Sequence, residues 1–235
     1  MLKNQNTYSF YLASTSPRRI EILSQILGIE QTLNEPIKGF KLIKPEFDED
    51  LDKSQYTPQT VSTIYHTLHL TIILTLFTQY VEATALHKFK SIDTSTLPLK
   101  SIVLSADTII SFQGKVIEKP HCKEDQFVNL CNFIENSQRE SLKVITSVIV
   151  YDKSNDEMNQ FTEITDIIFD DSITQEIVKD YVDSEDGLKV AGGFKIQSIG
   201  GVLIKEIKGD YYNVVGLPLN STFKVLKKIV DGMKL

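Results

Sequence analysis

Positive charge is in short supply in this sequence: 25 Lys and Arg stand against 31 Asp and Glu in 235 residues, giving a net charge of −6. Neutralising a run of nucleic-acid phosphates needs a basic face, so a general nucleic-acid binder is excluded, and any anionic ligand must be met by a local cluster of cations. Cysteine is scarce too. Cys122 and Cys131 have neither metal-site nor redox spacing, and one pair so close in sequence is no disulfide framework, so a reducing, cytoplasmic setting is expected. The first residues lack the basic start, apolar core and small-residue cleavage site of a secretory signal. No glycine loop precedes a Gly-Lys-Ser/Thr, which excludes a P-loop, and no Gly-x-Ser-x-Gly nucleophile elbow occurs. Residues 54–81 hold no Asp, Glu, Lys or Arg, yet they are crowded with threonine and include Gln59, His66, His69 and Gln79. A membrane span needs about 20 predominantly apolar residues, so none is expected.

What is present suffices for one substantial core, with 41% of residues hydrophobic and 24% charged. Residues 8–13 read as a short aromatic-rich strand, followed at once by the helix-start signal Ser16-Pro17 and an apolar face of Ile22, Leu23, Ile26 and Leu27 that stops at Gly28. A loop with a short strand near 41–43 comes next, then a long helix or helix pair over about 60–91. Residues 101–106 read as a buried strand, and 108–112 with 115–118 as a hairpin around Gln113-Gly114. Helices are expected over 124–134, 173–182 and 223–230, and strands over 142–151, 160–169 and 201–207. Strands and helices alternate with antiparallel pieces mixed in, so the predicted class is α/β with a mixed twisted sheet and flanking helices.

Three local patterns are candidates for chemistry. Arg18 and Arg19 sit in the first turn of a helix, where cations oppose the positive end of the dipole; an anion held between the guanidiniums and the free amides would compensate them, while pairing with Glu21 or plain solvation would serve as well. Asp107, in Ser105-Ala106-Asp107-Thr108, ends an apolar strand, which is where open α/β sheets place ligand-binding side chains; it either holds a hard cation or opens a turn. The acidic residues Glu46, Asp48, Glu49, Asp50 and Asp52 offer oxygen ligands for Mg²⁺ or form a solvated loop. His66 and His69 lack a third partner for zinc.

Taken in order, LASTSPRR (12–19), SADT (105–108), EKP (118–120) and GDYYNVVGLPL (209–219) resemble the motifs of Maf proteins, and FDEDLDKSQYTP (47–58) and YVEATALHK (80–88) are similar to further segments of that family. The resemblance implies a single domain over 8–235, with 60–79 as an insertion, on a mixed α/β fold with two lobes around a cleft, usually as a homodimer. It implies hydrolysis of a nucleoside triphosphate to monophosphate and pyrophosphate with a divalent cation, Mg²⁺ or Mn²⁺, held by Asp107 and Glu49. Asp107 would be the proton acceptor, Ser16 and Arg19 the Ser-x-x-Arg motif, and Lys88 and Lys119 the phosphate-binding lysines. Arg18, Thr108 and Gln197 fall on the positions that separate the subfamilies and resemble the dTTP/UTP branch.

The chain departs from the family pattern at the mouth of this motif set. Lys189-Val190-Ala191-Gly192 replaces Asp-Lys-Ala-Gly, and Lys195 and Ser198 stand where glycines flank the Ile-Gln pair. Two other readings are therefore open: a nucleotide-binding protein of the same fold with impaired catalysis, or a pyrophosphatase for modified, for example methylated, nucleotides.

Overall fold

The computed structural model describes residue 2 and residues 7–30, 37–45 and 66–232, the side chains of 66–73 excepted. Along the chain run β1 (Ser9–Ala13), α1 (Pro17–Leu27), β2 (Phe40–Leu42), α2 (His66–Lys90), β3 (Ser101–Phe112), β4 (Lys115–Ile117), α3 (Lys123–Asn136), β5 (Leu142–Asp152), β6 (Glu157–Phe169), α4 (Gln175–Asp183), β7 (Ile204–Lys208), α5 (Tyr211–Val215) and α6 (Leu219–Val230). The strands form one mixed sheet in the order β2-β1-β3-β5-β6-β7, with β4 attached to β3. β1 pairs in parallel with β2 and β3, and the remaining pairs are antiparallel.

β3 is the axis of the sheet. Two expected strands, 101–106 and 108–112, are one continuous strand here, so Asp107 lies inside it and not at its end. One edge of β3 pairs with β5 from Ile102 to Ser111. The other edge is divided: β1 pairs with Ser101–Ser105 and β4 with 110–112, which leaves residues 106–109 between the two ladders. Because side chains alternate across a strand, Ile102, Leu104 and Ala106 join the cluster under α1 and α6, while Val103 and Ile109 face the opposite side. Asp107 shares the parity of Ile109, and Thr108 that of Ala106.

α2 is one helix and covers the Ile109 side. Phe77, Tyr80 and Val81 pack on Ile109 and Ile145, with Leu74 at the border. Residues 66–79 of the expected insertion are thus helical, and Phe77 within them is 3% exposed. α1 buries the predicted face of Ile22, Leu23, Ile26 and Leu27 and ends at Gly28, whose φ of 66° the missing Cβ permits. α3 and α4 cover the second end of the same face, where Phe112, Phe133 and Phe169 stack in sequence.

The C-terminal region differs most from expectation. The last strand begins at Ile204 and not at 201, because Ile199–Leu203 winds into a 3₁₀ turn. The glycine-flanked stretch after it holds a short helix, α5, capped by the Asp210 carboxylate, which accepts from the Tyr212 and Asn213 amides. No helix among the described residues is long and apolar enough to cross a membrane.

Phe77→Ala empties a filled site between helix and sheet and is expected to lower unfolding free energy by about 3–4 kcal/mol. Urea denaturation checks this; a change below about 1 kcal/mol would mean that the first half of α2 carries little of the core.

Candidate functional site

The β1–α1 turn, the free stretch of β3 and the C-terminal turns converge on one open cleft of about 950 Å³. Ser16, Arg18, Arg19, Lys88, Asp107, Thr108, Lys119 and Gln197 all line it. Glu49, the remaining sequence-derived candidate, lies outside the described residues, as does the rest of the acidic run.

Asp107 and Lys88 form its centre. The Lys88 ammonium, from the last turn of α2, donates to Asp107 Oδ1 at 2.7 Å, and the two side chains are 11% and 12% exposed. A cation in the last turn also matches the negative end of the helix dipole. One carboxylate oxygen is thereby used, and the other accepts no hydrogen bond from the described residues. Among those residues no group of three His, Cys, Asp or Glu could hold a metal by itself. One carboxylate with a spare oxygen suits a hard cation that takes most of its ligands from elsewhere, as Mg²⁺ does with phosphate oxygens and water.

The two arginines of α1 divide their work. Arg19 turns inward: Nε donates to Gly216 O at 2.9 Å, Nη1 to Ala106 O at 2.8 Å and Nη2 to Thr108 Oγ1 at 3.0 Å. Thr108 Oγ1 in turn lies 3.0 Å from Thr146 Oγ1 on β5. Ala106 belongs to the unpaired stretch of β3, so the guanidinium takes up a carbonyl that no strand takes on that edge. Arg18 is half-buried and makes no hydrogen bond or ion pair among the described residues; burial depresses its guanidinium pKa. Ser16, the residue before α1, makes no side-chain cap, and its own amide donates to Ser14 Oγ at 3.1 Å. The first turn of α1 therefore brings to the cleft the Arg18 and Arg19 amides, which no side chain caps, and the Arg18 guanidinium, which has no acceptor among the described residues.

The far wall comes from the segment after α4. Lys189, which is exposed, and Val190, which is 8% exposed, both line the cleft. Gly192 and Gly193, at φ of 74° and 78°, fold this segment tightly, and the Gly192 amide donates to Glu118 O at 3.2 Å. Gly216 is held from behind: Asn213 is fully buried and its amide nitrogen donates to Val144 O, Glu163 O and Thr165 Oγ1. Sequence reasoning missed Lys44, Thr146 and Asp186. Lys44 beside Pro45 reads as an ordinary loop residue, and the other two gain their place only through tertiary contacts.

The cleft's described lining holds seven cations (Arg18, Arg19, Lys44, Lys88, Lys119, Lys189, Lys195) and three carboxylates (Asp107, Glu118, Asp186). In a chain of net charge −6 that local excess marks the place for an anion.

A family model described as "Maf-like protein" matches residues 9–229. A dTTP/UTP pyrophosphatase of Saccharomyces cerevisiae is 38% identical over 225 residues, 93% of this chain and 89% of that protein. A dTTP/UTP pyrophosphatase of Clostridium novyi is 31% identical over 214 residues, 91% of this chain and 94% of that one. A solved nucleoside-triphosphatase (dITP/XTP pyrophosphatase) of Mycobacterium abscessus covers 80% of this chain and 88% of its own at 12% identity and a TM-score of 0.32.

Arg19→Lys keeps the charge but cannot reach three acceptors arranged around a planar fork, so a loss of about 1–3 kcal/mol of stability is expected. Arg18→Ala, which removes no protein hydrogen bond among the described residues, is expected to change stability by less than about 0.5 kcal/mol. Thermal unfolding of both variants checks the division, and equal losses would refute it.

Proposed function

Because the chain belongs to the Maf-like protein family, we propose that it hydrolyses dTTP or UTP to the nucleoside monophosphate and pyrophosphate. The observation that carries this reading is the meeting of a partly satisfied carboxylate, Asp107, with a local excess of cations in one open cleft. A triphosphate matches that arrangement by charge.

Asp107 takes the proton from a water that attacks the α-phosphorus; a new P–O bond forms, the bond to the β-phosphate oxygen breaks, and pyrophosphate leaves. Lys88 fixes the carboxylate through Oδ1, leaving the other oxygen for water. Arg18, with its desolvated guanidinium, and Lys119 stabilise charge on the phosphate oxygens, helped by the free amides of α1. Arg19 acts by position, since three of its donors are already spent on the protein. Asp107, together with Glu49, would hold Mg²⁺ or Mn²⁺. Bound there, a divalent cation would neutralise phosphate charge and lower the pKa of a coordinated water.

Gln197, exposed at the cleft mouth, offers a donor and an acceptor to a base edge, with Thr108 and Arg18 as its companions in base selection. A site built around uracil or thymine leaves polar groups unsatisfied when another base enters, so kcat/KM is expected to favour dTTP and UTP over purine triphosphates by about ten- to hundredfold.

The test is pyrophosphate release from a panel of nucleoside triphosphates, methylated GTP included. Asp107→Asn is expected to abolish release while the circular dichroism spectrum stays that of the parent; activity within about twofold would remove Asp107 from the chemistry. Full turnover in EDTA would exclude the metal, and preference for a methylated or purine nucleotide would overturn the substrate class.

A further inference from the structure

The two residues that crowd the Ile196-Gln197 pair, Lys195 and Ser198, share one partner. The Lys195 ammonium lies 3.1 Å from Asp186 Oδ1, and the Ser198 hydroxyl donates to Asp186 Oδ2. Asp186 comes from the segment just after α4, and its side chain is 24% exposed. Both of its oxygens are therefore committed to the residues that bracket Gln197, one on each side.

A second contact holds the same loop from behind. The Lys195 amide donates to the Tyr181 hydroxyl at 3.0 Å. Tyr181 is buried on α4, and burial pushes its phenol up to about 12, so it stays neutral throughout the ordinary pH range. Gly200 closes the turn against these two groups: a Cβ there would come within 2.5 Å of Lys195 O and 2.8 Å of the Tyr181 hydroxyl oxygen. Partial burial works against ionisation of Asp186, but hydrogen bonds from Ser198 and Lys195 and the charge of Lys195 outweigh it and hold the carboxyl below its usual range.

We propose that Asp186 is a positioning residue that fixes the loop 195–198 and so sets how Gln197 meets the nucleobase. The part concerning the base rests on the pyrimidine-triphosphate reading above; the clamp itself does not. Its consequence for Lys195 is as important as that for Gln197. A lysine at the mouth of a cationic cleft would otherwise swing into the space of the base or take hold of phosphate, and Asp186 keeps its ammonium to the side. The departure from a glycine-flanked pair is thus compensated within the chain, by a carboxylate that accepts from both bulkier residues.

The experiment has a substrate-free arm and a kinetic arm. In the full-length protein, Asp186→Ala is expected to speed hydrogen–deuterium exchange of a peptide spanning 195–200 by about tenfold or more, with exchange in β3 and β5 unchanged. Asp186→Asn keeps an acceptor for Ser198 but loses the charge facing Lys195, and its effect is expected to fall between parent and alanine. For pyrophosphate release, Asp186→Ala is expected to raise KM for UTP and dTTP about tenfold and to erode their advantage over GTP, while kcat stays within about threefold. Unchanged exchange at 195–200 in both variants would overturn the clamp whatever the substrate is. A fall in kcat with KM and base preference intact would overturn the positioning role, since Asp186 would then be acting on the phosphates. If the parent hydrolyses no triphosphate, the reading of function fails by itself, and the exchange measurement still decides the clamp.

Discussion

The Arg19 guanidinium joins three segments that converge on the cleft. Its donors reach the carbonyl of Gly216 after α5, the carbonyl of Ala106 within β3 and the hydroxyl of Thr108 two residues on. The reason such a tie is needed lies in the sheet. β1 ends its pairing at Ser105 and β4 begins at Ile110, so the intervening β3 edge has ladder partners only on the β5 side. Backbone groups left in that position must find partners or water. A planar fork with several fixed donors suits the task better than an ammonium would. The gap that demands Arg19 is also the stretch from which Asp107 and Thr108 line the cleft.

Strand parity then sorts the two neighbours. Asp107 faces α2 and meets Lys88; Thr108 faces the other layer and meets Arg19 and Thr146. The Lys88–Asp107 pair is largely desolvated, and such a pair is weak evidence for stability but a strong constraint on where each charge can be. Around it, Arg18 is the complementary case: a cation partly removed from water with no described partner, so that desolvation alone depresses its pKa. A bound anion would relieve that strain. The α1 amides point the same way, and seven cations stand against three carboxylates in the described lining of the cleft, within an acidic protein.

The mouth of the cleft is assembled by different means. There the chain has glycine at the tight positions 192, 193 and 200 but side chains at 195 and 198, and Asp186 absorbs both of them. Lys189 and its neighbour Val190 both line the cleft, and the exposed Lys189 brings a cation to that wall. Just after them a 3₁₀ turn at Ala191–Gly193, with φ positive at two glycines, folds the chain tightly.

Sequence alone determined the elements whose causes are local. The face of α1, its stop at Gly28, the turn at Gln113-Gly114 and the buried strands of the sheet all follow from short-range spacing and backbone preference, and all are found. The ordered motifs likewise identified Ser16, Arg18, Arg19, Lys88, Asp107, Thr108, Lys119 and Gln197, which do line one cleft. Tertiary structure decided the rest. It made residues 101–112 one strand, because β5 pairs along nearly its whole length and carries the backbone through Asp107 without a turn. It turned the glycine-flanked stretch near residue 210 into α5, since the Asp210 cap and the buried Asn213 amide supply bonds that propensity does not reveal. It also gave Arg19, 197 residues from Gly216, a positioning task in place of a free charge, and it brought Asp186 to Lys195 and Ser198. Such pairings depend on which loops the sheet order sets side by side, and no local pattern of residues encodes that order.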